Sequence, residues 1–181
     1  VVIGSDSNTG TSVLLRSGVE DGEPIFDTVY QVKKTQNPFA TASPGNFVPY
    51  TVSINDGLVL VFRGNTIDGE LIASYSIPQS DDVSDPIYVG FASDDQSVQF
   101  TEIKVGDPVE LIVSDRVYFQ DNDKVVEVPG DNKIEWIDLP FRIPDQGSFG
   151  FVAEAIDDVR IAFGTKKDQF SGHYVISRSE E

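Results

Sequence analysis

Only one imidazole, His173, occurs in the 181 residues, and cysteine is absent. A Ser-His-Asp relay would have to be built on that one histidine. It stands in a Gly172-His173-Tyr174 turn, where a solvated loop side chain is the plainer reading. The lack of cysteine excludes thiolate nucleophiles, disulfides and cysteine-based zinc sites. Carboxylates are plentiful, thirty in all. With so many, some pair falls at glycosidase-like separation by chance, and no sequence feature singles one out. The metal that clustered loop carboxylates suit is calcium, which takes oxygen ligands. Asp121-Asn122-Asp123 offers the first candidates, Asp121 and Asp123, followed by Asp81-Asp82 with Asp85 and by Asp94-Asp95. None of these follows EF-hand spacing, and a merely solvated acidic loop is the alternative. Trp136, the single tryptophan, could join the six tyrosines in an aromatic face for a sugar. The plainer reading in Ile134-Glu135-Trp136-Ile137 is a strand residue packed into a sandwich.

Thirteen Lys and Arg stand against the thirty acids, a net charge of -17. Such a surface repels phosphate, which argues against nucleic acid and anionic membranes as partners. No apolar run approaches the ~20 residues of a membrane-spanning helix. Hydrophobic residues make up 39% of the chain, too many for a disordered one. Methionine is also absent. The expectation is a processed product, a fragment or a repeat unit, and an acidic chain with no oxidisable sulfur suits an extracellular, secreted material.

Any chemistry would have to be positioned by strands. Gly and Pro recur at short intervals (Gly10, Gly18, Gly22, Pro24, Pro38, Pro44, Gly57, Gly64), leaving little room for a helix of average length. Between them lie β-rich runs: Val13 to Leu15, Tyr50 to Ile54, Leu58 to Phe62, Ile87 to Phe91, Val109 to Val113, Val117 to Phe119, Phe149 to Ala155 and Val159 to Phe163. Many alternate with the period of two that a half-buried antiparallel strand requires. From Val98-Gln99-Phe100 to Ile103-Lys104-Val105 the apolar phase slips by one residue, which predicts a β-bulge. Asn55-Asp56-Gly57 between two apolar runs predicts a hairpin. These features predict an all-β chain, an antiparallel β-sandwich or jelly roll, with at least ten strands and with Phe62, Phe91, Phe100, Phe151 and Ile161 buried. Residues 35–46, 78–86 and 120–132 read as surface loops of one domain spanning 1–181.

The residues from Val1-Val2-Ile3-Gly4 through Val13-Leu14-Leu15-Arg16 resemble the central strand pair of the farnesoic acid O-methyltransferase-like domain. Tyr50 to Val61 is similar to that family's W-x-S-W-x-D-G-x-I segment, and Ile87-Tyr88-Val89-Gly90-Phe91-Ala92-Ser93 to its closing strand. Ser5 stands where the family has a glycine, and no tryptophan follows it. The family's opening strands come last: Phe149 to Phe163 resembles F-x-V-x-A-x-x-D-A-x-I-A-L. The resemblance thus implies a β-sandwich, lectin-like module in permuted order, with the opening strands at 107–181 and the remainder at 1–106. The family's name implies methyl transfer. The residues do not support it, because no Gly-rich βα turn is present to receive the cofactor.

Joining Glu181 to Val1 restores the family's E-I-V-I-G pattern as Glu181-Val1-Val2-Ile3-Gly4. A permutant, the ends of two adjacent domains, and one period of a head-to-tail array all account for this, and the array is favoured. Val1, Val2 and Ile3 at one end and Tyr174, Val175 and Ile176 at the other are therefore expected to be sheet-paired interface residues. The function expected is a non-enzymatic extracellular structural module that repeats or self-associates head-to-tail, with copies of itself as partner. The alternative is a lectin-like carbohydrate-binding module using Trp136, with glycans as partner. No cofactor is expected, calcium at Asp121 and Asp123 being the exception considered.

Overall fold

The structure, a computed structural model, describes residues 1–4, 9–20, 23–42, 45–55, 58–64, 69–77, 88–93, 96–106, 117–121, 124–129, 134–137, 147–155 and 159–164. Among these residues there is no helix, and thirteen strands build two antiparallel sheets. The expected all-β class and strand number hold.

The six-stranded sheet contains β1 (Val2–Gly4), β2 (Gly10–Glu20), β3 (Glu23–Lys33), β7 (Tyr88–Ala92), β11 (Glu135–Trp136) and β13 (Val159–Gly164). Their spatial order is β11-β7-β13-β1-β2-β3. The second sheet contains β4 (Val48–Asn55), β5 (Leu58–Arg63), β6 (Glu70–Ser76), β8 (Val98–Gly106), β9 (Val117–Asp121), β10 (Val126–Val128) and β12 (Gly147–Glu154). It runs β10-β8-β12-β4-β5-β6, with β9 also paired to β8.

The inner faces meet through aromatic rings. Phe91 of the first sheet stacks on Phe100 of the second, with ring centroids 3.8 Å apart, and meets Phe149 at 5.7 Å and Phe151 at 5.4 Å. Alternation explains the choice: Phe149 and Phe151 are two apart on β12 and so share a face. All five residues expected in the interior are buried, Phe62 included. Val59 to Phe62 are buried in succession, so β5 is covered on both faces.

The slipped phase in β8 is a bulge. Gly150 pairs with Lys104 and Val152 with Thr101, so two steps on β12 match three on β8. The extra residue lets Val98, Phe100, Ile103 and Val105 all face inward, and Glu102 turns to φ 51° to make the adjustment. β4 and β5 form the expected hairpin, with Asn55 opposite Leu58 across a two-residue connection. Gly18 corrects a reading of glycines as strand ends. It lies inside β2, where the register against β3 shifts between Arg16 and Gly18. There the glycine marks an irregularity within a strand rather than its end. Val109 to Val113 lie outside the described residues.

Candidate functional site

Two strands early in the chain, β2 and β3, share a sheet with β13, late in the chain, and only β1 lies between β2 and β13. Its registers are short. Val2 faces Arg160 on one side and Ser12 on the other, and Ile3 faces Val159 and Thr11. The ladder continues one residue further, to Val1. Its terminal N–H donates to the Ile161 carbonyl at 3.1 Å, and the Ile161 N–H donates to the Val1 carbonyl at 3.2 Å.

Side-chain parity explains why so short a strand holds its place. Val1 and Ile3 both point into the sandwich and are buried, beside Val13, Val159 and Ile161. Fully burying an aliphatic side chain contributes about 1.5–3 kcal/mol, which two residues supply before any ladder bond is counted. Thr11, opposite Ile3, is fully buried and donates its hydroxyl to the Ala40 carbonyl at 2.8 Å. That bond ties β2 to the turn after β3, as does the Lys34 N–H to the Thr9 carbonyl at 2.7 Å. The wall of the slot on the β2 side is thus braced from behind.

Burial of the Val1 ammonium holds its pKa well below the usual value, because desolvation penalises the charged form. Among the described residues no carboxylate reaches it; its one described partner is the Ile161 carbonyl.

Of the expected interface residues, Val1, Val2 and Ile3 are sheet-paired. Tyr174, Val175 and Ile176 lie outside the described residues, as does His173. Asp121 ends β9, opposite Ile103, while Asp123 is outside the described set. No group of three or more potential metal-ligating side chains forms among the described residues.

Trp136 lies on β11 at the sheet edge, opposite Gly90. It packs with Ile134 against Ala92 and Ala162, a small cluster separate from the inter-sheet core. A Cβ at Gly90 would meet the indole Cε3 at 2.9 Å and would collide with Ile134. The ring therefore lies closely over Gly90, where any added side chain would force Ile134 and Trp136 to shift. Its Nε1 is sheltered and has no hydrogen-bond partner among the described residues. Sequence reasoning marked Trp136 as a packed strand residue but not its neighbours; Gly90 and Ala92, two apart on β7, and Ala162 on β13 were the signal available.

A second buried polar atom sits in the other sheet. Tyr50 is 1% exposed, its ring lies tilted to that of Phe151 with centroids 5.8 Å apart, and its hydroxyl has no partner among the described residues. Burial raises its pKa to about 12, against a smaller lowering by Arg63. A phenol so placed stays neutral and inert at ordinary pH.

No family model matches the chain, and no curated protein or solved structure matches it.

Proposed function

We propose that this chain is a non-enzymatic, extracellular structural module of the β-sandwich type that associates or repeats head-to-tail. The observation that supports this reading most directly is the position of β1: three residues close the six-stranded sheet between strands from the two extremes of the chain. A sheet joined there is one that neighbouring units could share, since strand pairing supplies main-chain hydrogen bonds to whichever strand fills the place. On this reading Glu181 of one unit approaches Val1 of the next. The kinship to the farnesoic acid O-methyltransferase-like domain belongs to the same proposal, as a shared strand pattern without the activity. The acidic surface, at net charge -17, keeps such units soluble until they pair.

Sedimentation and electron microscopy of the purified chain over a range of concentrations test this. Ordered, concentration-dependent assemblies without added ligand are expected, and a monomer at every concentration overturns the reading. Carbohydrate binding through Trp136 is the second reading, favoured by the place of that ring on a sheet edge. Its close packing over Gly90 already gives the ring a structural role. Binding on a glycan array that is lost in Trp136→Ala with the fold intact would select it. Calcium at Asp121 and Asp123 is tested by titration calorimetry.

A further inference from the structure

We infer that the two ends of the β2–β3 ribbon are complementary docking surfaces, and that the aromatic, cationic end of one copy receives the acidic tip of the next. The inference deepens the head-to-tail proposal and rests on it.

The receiving surface is built where β3 ends. Past Lys33 the chain turns, with the Gln36 and Asn37 N–H groups donating to the Lys33 carbonyl at 2.8 and 3.0 Å. Asn37 then ties this turn to the other sheet: its Nδ2 donates to the Leu71 carbonyl at 3.0 Å, and its Oδ1 accepts the Phe39 N–H at 2.9 Å. The Arg63 guanidinium lies over the Phe39 ring, 5.6 Å from its centroid, a cation–π contact. Phe39 and Leu71 are nevertheless 37% and 44% exposed, and Lys33 and Lys34 are exposed beside them. Glu70 stands opposite Arg63 in the ladder. In a chain of thirty carboxylates, none occurs from residue 28 to residue 55, so sequence places no acid near the two lysines. This end is thus apolar and cationic on a chain of net charge -17.

The other end of the ribbon has the opposite character. Glu23, Ile25 and Asp27 are alternate residues of β3, and Ile25 is 39% exposed with Asp27 exposed as well. Glu20 lies directly opposite Glu23 at the end of the ladder. Like charges in such a pair destabilise a sheet, and a cation brought against them relieves the cost. Beyond Ser12, where its printed register with β1 stops, β2 continues for eight residues paired to β3. The tip is therefore the far end of a long two-stranded ribbon, the least self-sufficient form of sheet.

Distance decides what the tip can meet. Ten residue steps separate Glu23 from Lys33, about 33 Å at the rise of an extended strand. The two surfaces cannot touch within one chain, yet each supplies what the other lacks: an exposed aliphatic flanked by acids, and an exposed aromatic–aliphatic pair flanked by bases. The occupant that fits is a second copy. Net repulsion between copies does not prevent this, because at about 0.15 M salt it is screened beyond roughly 8 Å, whereas charges that meet at the contact are not. Tip against receiving end is a heterologous contact, which leaves one free surface of each kind and so extends into a string.

Charge reversal tests the contact. Lys33→Glu with Lys34→Glu reverses the receiving end, and Glu23→Lys with Asp27→Lys reverses the tip. In sedimentation velocity each double variant alone is expected to self-associate about tenfold more weakly than the unmodified chain. An equimolar mixture of the two is expected to recover association, since each reversed end then meets its complement. Variants that associate like the unmodified chain, or a mixture no stronger than its parts, overturn the inference and leave the head-to-tail proposal standing. An unmodified chain that stays monomeric overturns both. A monomeric chain whose receiving end binds poly-glutamate would assign that surface to a foreign acidic partner, which also overturns the inference. Circular dichroism checks that the variants are folded. Should one fail to fold, the absence of native cysteine allows a second measurement. Ile25→Cys in one copy and Thr35→Cys in another are expected to form mixed disulfides between chains after mild oxidation. A predominance of like-with-like links overturns the inference.

Discussion

Each sheet has one seam where early and late parts of the chain meet, and the two seams are built differently. In the seven-stranded sheet the late strand β12 enters between β8 and β4 and pairs with β4 continuously from Gly147–Ile54 to Ala153–Val48. It brings Phe149 and Phe151 with it, both in ring contact with Phe91. In the six-stranded sheet the seam is β1, whose ladders are two residues long apart from the bonds at Val1. The first seam is long, aromatic and central; the second is short and aliphatic. A fold closed this way should open at the second seam first, since local opening begins where ladders are short and buried area is small.

The largest expected effect tests the strong seam. Phe151→Ala should cost about 3–5 kcal/mol, the usual toll of removing a buried aromatic ring, and chemical denaturation measures it. Ile3→Ala, in the weak seam, should cost about 2 kcal/mol, the low end for a buried isoleucine, since the short ladders of β1 let the site close around the gap. An Ile3→Ala variant as damaged as Phe151→Ala would erase the contrast. Gly90→Ala, beneath Trp136, should cost about 1–3 kcal/mol by overpacking, and the same denaturation midpoint reports it. Loss of native tryptophan fluorescence in that variant would show that the edge strand β11 has detached rather than adjusted.

The smallest effect sharpens the account of the strong seam. Tyr50 pairs with Phe151 across it and carries a buried hydroxyl without a partner among the described residues. Tyr50→Phe should therefore raise stability by about 1 kcal/mol, because an unsatisfied buried polar group costs roughly 1–3 kcal/mol. The sign with pH follows from the raised folded-state value. Between about 10, the unfolded value, and about 12, the folded one, the unfolded chain has lost a proton that the folded chain keeps. Stability falls as pH rises through that window, and Tyr50→Phe should flatten the decline in alkaline melting curves.

Most of the strong seam was legible in the sequence. Phe149 to Ala155 alternates cleanly, and the slip between Phe100 and Ile103 announced the bulge that Glu102 makes. β3 and β6 gave weaker signals. In β3 the apolar pattern Ile25, Phe26, Val29, Tyr30, Val32 breaks phase where the register to β2 shifts, so it reads as neither strand nor helix. In β6 the first apolar residue, Leu71, is exposed at 44%, before the buried pair Ile72 and Ala73. The weak seam was legible as an apolar end at Val1 to Ile3. Its partner β13 was not, because pairing between residues 156 to 160 positions apart leaves no local trace. The outer packing of Trp136 was hidden for a related reason: it depends on three small residues on two strands being brought under one ring.

Tension gives the weak seam a further meaning. Val1 enters the sheet opposite Ile161, and the chain leaves β13 three residues later, past Gly164, at the same end of the antiparallel pair. A pull applied at Val1 and beyond Gly164 therefore loads the bonds between the two strands one after another, from the outside inward, rather than all together in shear. A linear string of such units would yield by peeling at this ladder under small force. The long ladders of β12 would remain intact, so each unit could lengthen and re-close without losing its core.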